Sequence, residues 1–497
     1  MRRPPWALLA AVVGLAAIGS AASTTRPVSR PGAALETLAG GGDAGTVRSS
    51  LVCPDLRTLP GTLSTVIGVG AGVPARGSVR LLPAAGSNPG PAAPLLTSGQ
   101  HVATYTGPLT GPLVLQAQGP LTASLVAEQL SRGNKTTDRG WSEARCEPPR
   151  AEQWFVGAGT TPGDVPELVL ANPADNQAVT DVTVLTPNGI SDTNAGHNIA
   201  LSPHTVTRLP LASLAPNVPV TAVRVTTTTG QVSAAVRDVR SSGETLLGTD
   251  WVPVSAPAAT LTIPGIPGSV IGKRPTRTLF VADPAQTDAT VRVEVTGSHG
   301  TYVPNGLDAL PVSAGTVRSI DLTGPLAADA AAVTVTSDDP AVHVVAGVLV
   351  DAASTKGTKI HEITYLGPSA PLRGPALIPL VRTSGDVDSL LLLSAPRDPV
   401  SLTLVGDPGT GAQIRRSVTI AAGTTYQVSL RSLNLEDGST LTVVPNPGSP
   451  PLYGARLIVE DGALGPLLSS FTLLGAPPLQ RVPAVTELPA GAGRLQP

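Results

Sequence analysis

Short runs in which Val, Leu, Ile and Thr alternate with polar residues fill this chain, and they recur on a long period. The run 167–173 with 179–184 after it returns as 278–284 with 291–295, and again as 389–396 with 400–405. Leu168, Leu279 and Leu390 are separated by 111 residues at each step. Alternation at period two predicts strands with one face in a core and one in water. A period near 110 residues filled by such strands predicts tandem β domains, each burying a core of its own.

Other landmarks keep the same order. A second strand is predicted at 205–209, 316–320 and 424–428, and a third at 222–225, 332–335 and 440–443. A fourth runs through 232–237, 342–350 and 453–459, ending on Asp238, Asp351 and Asp461. The segments 251–257, 365–371 and 474–478, each with an aromatic or Leu and a Pro, read as linkers. A fainter copy precedes these three, with strands at 64–70, 78–82, 98–104, 113–115 and 121–127 and a linker at 141–148. Each repeat opens with an extra strand, at 51–56, 154–159, 261–266 and 376–381, and a fifth copy stands at 482–488; either the repeat boundary lies after this strand or the last domain borrows it to close an edge.

Seven or eight strands in about 110 residues is the count of an immunoglobulin-like β-sandwich. Propeller blades are shorter, at about 40–50 residues. The chain holds 53 Gly and 51 Pro, which disfavours long helices beyond the N-terminus. The expectation is an all-β tandem array of about four immunoglobulin-like β-sandwich repeats after an N-terminal hydrophobic helix. The repeats fall at 48–150 (the most divergent), 151–257, 258–371 and 372–489, with a disordered tail at 490–497.

Arg2 and Arg3 precede an uncharged apolar or small run, 6–22. That pattern fits a cleaved signal peptide and a retained membrane anchor equally, and both place the body outside the cytoplasm. Residues 23–47 read as a flexible linker. Net charge is −2, from 33 basic and 35 acidic residues without a basic stripe, so nucleic acid is not an expected partner.

Cys53 and Cys146 are the two cysteines of the chain, and in an exported protein they predict a disulfide; two unrelated thiols are the alternative. Aromatics make up 2% of residues. Trp141, Trp154 and Trp251 sit near repeat boundaries and read as plugs between adjacent domains, with an exposed glycan-stacking platform as the alternative.

Motifs with catalytic overtones dissolve in context. His361-Glu362 begins like a zinc-protease helix motif, but Tyr365 stands where the second histidine belongs and the flanks read as strand. The glycines at 68–72 are followed by Val73-Pro74 and a strand, so they read as a turn rather than a phosphate loop. Asp386, Asp388 and Ser389 align with the start of a core strand in the other repeats. Asp338-Asp339-Pro340 reads as a turn. Asp238, Asp351 and Asp461 recur at strand ends, where the alternative to a turn role is calcium between domains. His204 shares its repeat position with Gly315 and Gly423 and reads as a turn residue. No cofactor, metal or catalytic constellation is predicted.

The order Cys53-Pro54-Asp55, then residues 154–159 (Trp-Phe-Val-Gly-Ala-Gly), 168–173 and 182–189, resembles a family of uncharacterised exported proteins of GC-rich Gram-positive bacteria. The resemblance covers most of the chain from about residue 50. It implies export and a β architecture, and brings no activity or catalytic residue with it. The functional expectation is a non-catalytic extracytoplasmic envelope protein, a spacer, scaffold or protein-binding module for an envelope protein or polymer. An accessory enzyme and a glycan-binding adhesin are the alternatives.

Overall fold

The computed structural model describes residues 48–475 apart from 55–61, 70–76, 84–93, 97–101, 107–111, 120–124, 136–137, 192, 244, 357–359 and 410–411. The N-terminal apolar run, the 23–47 segment, the strand expected at 482–488 and the C-terminal tail lie outside the described residues. Among the described residues no helix is long and apolar enough to cross a membrane.

Among the described residues, eight antiparallel sheets pair into four sandwiches, one per repeat. In each domain the extra opening strand (Arg48–Cys53, Glu152–Val156, Thr260–Ile266 or Ala376–Ile378) lies along a strand of the first sheet. In the last three domains that partner is the third landmark: Ala222–Thr229, Ala331–Ser337 and Thr440–Pro445. In the second sheet of these domains the first landmark strand is central. It is flanked by the second landmark on one side and the fourth on the other, as in Glu167–Asn172 between Thr205–Pro210 and Ser233–Ser242.

The cores follow from the alternation. Val291, Val293 and Val295 face inward while Thr290 and Arg292 face out, and Val182 and Val184 do the same one repeat earlier. A disulfide joins Cys53 to Cys146 across 93 positions, the pairing expected from the sequence. It ties the opening strand of the first domain to the end of its second sheet, beside the mutual backbone bonds of Val52 and Glu147.

Three of the expected linkers, 141–148, 251–257 and 365–371, overlap strands, and a fourth such strand precedes the linker expected at 474–478. Asp138–Arg145, Thr245–Val252, His361–Leu366 and Gly465–Thr472 each form a hairpin with the fourth landmark strand and complete the second sheet. Trp141, Trp251 and Tyr365 are therefore strand residues, and Val254–Ser255 in the second repeat is a further short strand, paired with Phe155 and Trp154. Short polar and aromatic stretches hid these strands because both of their faces are covered, which removes the alternation.

These four closing strands also arrange the domains. That of the first domain packs on those of the second and fourth, and that of the third packs on the same two. The circuit is closed: the tandem array folds back on itself around a hub of four strands, and the first and last domains meet.

Candidate functional site

The polar chemistry of this protein is concentrated in the hub and in the seams between domains. Asp250, in the closing strand of the second domain, is buried at the centre. Its carboxylate accepts hydrogen bonds from Thr364 Oγ1 at 2.7 Å and the Tyr365 amide at 3.3 Å in the third domain. It also accepts from Ser469 Oγ at 3.3 Å in the fourth domain and the Glu143 amide at 3.3 Å in the first. One side chain thus reaches all three other domains. Burial pushes Asp250 up to about 7, against the pull of these donors.

Glu362 is the second hub carboxylate. It lies where Gly140 of the first domain and Gly248 of the second leave room: a Cβ on Gly140 would come within 2.8 Å of its Oε2, and one on Gly248 within 2.9 Å of its Oε1. Both glycines have positive φ, +148° and +113°, so the backbone too demands glycine. Burial raises Glu362 well above the usual carboxylate range, and Arg139 opposes the shift.

The seam between the first and fourth domains is built from charge. Arg456, fully buried, donates to Glu128 Oε2 at 3.1 Å, to Glu143 Oε1 and to the Leu380 carbonyl. Glu128 and Glu143 are diagonal neighbours on one hairpin face, since Glu128 pairs with Arg145 and Leu130 with Glu143. Burial raises both carboxyls, Glu143 well above its ordinary value; Arg456 works against the rise, and the proximity of Glu128 adds to it for Glu143. Around this core Arg132 pairs with Glu460, Trp141 Nε1 donates to Glu460 at 2.7 Å, and Arg145 Nη2 donates to the Thr472 carbonyl at 2.9 Å. Burial would lift Glu460, but the Arg132 and Trp141 bonds and the charges of Arg132 and Arg139 hold it below the usual range.

The other seams are more apolar. Phe280, Val345, Leu349, Ile363 and Tyr365 of the third domain join the core of the second. There Tyr365 Oη donates to Asp238, and Arg240 donates to both Tyr365 and Asp238 at 2.7 Å. Leu392, Leu457, Val459 and Leu468 of the fourth domain extend the core of the third.

The three tryptophans are buried. Trp141 packs with Leu130 against Leu380, Val387, Ile458 and Leu467 in the first-to-fourth seam. Trp251 packs on Val169 and against Ala144 of the first domain. Trp154 lies in the core of the second domain, with its Nε1 donating to Glu152 at 3.0 Å.

The recurring aspartates have separate partners: Asp238 takes Arg240, Asp351 takes His361 at 2.7 Å, and Asp461 takes Lys356 at 2.8 Å. Among the described residues no group of three or more His, Cys, Asp or Glu is placed to hold a metal ion. Ser389 exchanges hydrogen bonds with the Arg382 backbone, and Asp339 accepts from the Ala341 amide within its turn. His204, Gly315 and Gly423 all adopt the left-handed backbone, at φ of 53°, 69° and 67°. Gly68 is the last residue but one of the strand Thr62–Val69, and Gly70 and Gly72 lie outside the described residues.

The fold and the hub define a class: a repeat protein of four β-sandwiches closed into a ring around a buried polar hub. The chain belongs to the Family of unknown function (DUF5719), whose profile matches residues 97–431. None of the curated proteins compared with the chain matches it. A solved structure, the tetra-tandem repeat in the extending region of a large adhesion protein, is similar at 13% identity over 87% of this chain and 100% of that one. Its TM-score is 0.11, too low to carry an argument.

Proposed function

We propose that this chain is a non-catalytic extracytoplasmic envelope protein whose four sandwiches form one platform for binding or scaffolding an envelope protein or polymer. The observation that carries this reading is the hub. Four buried carboxyls that burial raises, Asp250, Glu362, Glu128 and Glu143, are engaged in joining domains. Burial of Trp141, Trp154 and Trp251 weighs against a sugar-stacking face made from them. The Cys53–Cys146 disulfide favours an oxidising compartment. The N-terminal apolar run, as signal or anchor, and the exported character implied by the sequence resemblance point the same way.

Expression of the full chain in a bacterial host tests this. Protease added to intact, outer-layer-stripped cells should digest the chain, and non-reducing electrophoresis of alkylated samples should show the two cysteines oxidised. A protease-protected chain with reduced thiols overturns the assigned location. Release of soluble fragments from isolated envelopes, lost on substitution of a hub carboxylate, overturns the non-catalytic role.

A further inference from the structure

The seam that closes the ring differs from the others in holding two carboxyls against one guanidinium, all three buried and drawn from non-consecutive domains. Glu128 Oε1, Glu143 Oε2 and Arg456 Nε are buried there without a hydrogen-bond partner. We propose that this seam is a proton-operated clasp, closed while Glu128 and Glu143 hold one proton between them beside Arg456 and opened when that proton is lost.

The charge count carries the inference. One guanidinium balances one carboxylate, and a second ionised carboxyl in the same dry contact would be unpaired, which is strongly unfavourable. The groups facing the pair do not supply the missing cation. The first domain offers Arg145 and Arg139 on the closing strand and Arg132 beside them; Arg132 is engaged with Glu460, and Arg139 reaches the Gly465 and Pro466 carbonyls. Arg145, opposite Glu128 in the hairpin register, has its charge met by Glu147 at 4.0 Å, stacks on Phe471 at 4.3 Å and bonds Thr472. The second domain presents Asp250 and the third Glu362, both acidic. The fourth presents Arg456 and Glu460, while its closing strand Gly465–Thr472 and its opening strand Ala376–Ile378 carry no titratable side chain. The strand Thr62–Val69, paired with the strand of Glu128, carries none either.

Opening exposes both carboxyls to water, where each ionises, so it releases the shared proton and is driven by rising pH. The first domain is suited to move as a body: the disulfide staples it internally, and it leads into the second domain through Glu147-Pro148-Pro149. Parting would uncover Trp141, Phe471 and Leu380, an apolar face rimmed by arginines that the closed ring hides.

Hydrogen exchange of the full oxidised chain, followed by mass spectrometry from about pH 6 to 9.5 and corrected for intrinsic rates, tests the clasp. Peptides covering Asp138–Arg145 and Gly465–Thr472 should lose protection with pH while those of the core strand Ala289–Thr296 keep theirs. In Glu143→Gln, a neutral amide replaces the carboxyl, and the opening constant should rise about tenfold less per pH unit than in the parent, one proton's worth. Arg456→Met should be open already at the acid end; if that variant does not fold, the Glu143→Gln comparison alone decides. Parallel pH slopes for parent and Glu143→Gln, pH-independent protection of the seam, or loss of seam and core together each overturn the proposal.

Discussion

Arg456 and Glu128 stand 328 positions apart in the sequence and 3.1 Å apart in the fold, both wholly buried. No short-range signal links them, yet their contact turns a row of domains into a ring. Consecutive domains are brought together by the chain itself, and apolar packing is enough to fix them. The first and fourth domains have no such tether. A buried charge pair is a poor source of net stability but penalises any mismatched partner, a property suited to specifying this one closing contact.

Removing Arg456 should therefore cost more than the pair contributes. Arg456→Met strands Glu128 and Glu143 in a dry contact, and a loss of about 3–5 kcal/mol is expected at that seam. Replacing all three residues together, as Glu128→Gln, Glu143→Gln and Arg456→Met, should recover most of it. Thermal denaturation with limited proteolysis between the first and second domains measures both. Equal losses for the single and triple variants would show that the charge itself is not the cause.

The disulfide should matter locally. Closing a loop of 93 positions is worth about 4–5 kcal/mol at most in the loop-entropy account. Cys53→Ser with Cys146→Ser should lower the unfolding temperature of the first sandwich and leave the three others near the parent value. Calorimetry of the parent with and without reductant gives the same comparison. A uniform shift of all transitions would contradict a staple confined to the first domain.

Asp250 links stability to pH in a definite direction. Its folded-state value of about 7 lies above the 3.8 of a free aspartate, so the folded chain holds the proton more tightly. The stabilisation is whole below about pH 4 and is lost as pH rises toward 7, on the order of 4 kcal/mol over that window. Asp250→Asn keeps an acceptor for Thr364 and the two amides and should flatten that part of the curve. Urea denaturation at several pH values reads it out; a parent whose stability rises from pH 4 to 7 with the same slope as Asp250→Asn would remove Asp250 as the source.

Much of this architecture is legible in the sequence, and the parts that are not have a common cause. Leu168, Leu279 and Leu390 mark the repeat because strands with one wet face must alternate. The opening strands, the Cys53–Cys146 pair and the left-handed turn at His204, Gly315 and Gly423 follow from local patterning. Apart from the strand reading at Ile363 and Thr364, the closing strands escaped because Gly-Trp-Ser-Glu and Gly-Thr-Asp-Trp show neither alternation nor an apolar run. Each is covered on both faces, partly by polar groups from another domain. A trace was present: the stretches Val344–Val350 and Leu390–Leu393 are apolar at nearly every position, as strands buried on both sides are. What faced them, including Asp250, Glu362, Glu143 and Arg456, depends on ring closure, which no spacing within one repeat encodes.

Gly248 offers a separable test of that closure. An alanine there suffers twice: from a backbone at φ +113° and from a Cβ within 2.5 Å of the Ile363 amide nitrogen and 2.9 Å of Glu362. Gly189 has nearly the same backbone, at φ +117°, with nothing within 4 Å of where its Cβ would lie. Gly189→Ala therefore measures the conformational cost alone, about 1–3 kcal/mol for a strained residue. Gly248→Ala should exceed it by a further 1–3 kcal/mol, roughly the cost of overpacking a tight core. The excess should vanish in Gly248→Ala combined with an opened hub, because the crowding atoms belong to the third domain. Equal destabilisation by the two alanines in otherwise intact chains would mean that the second and third closing strands do not meet at Gly248 in solution.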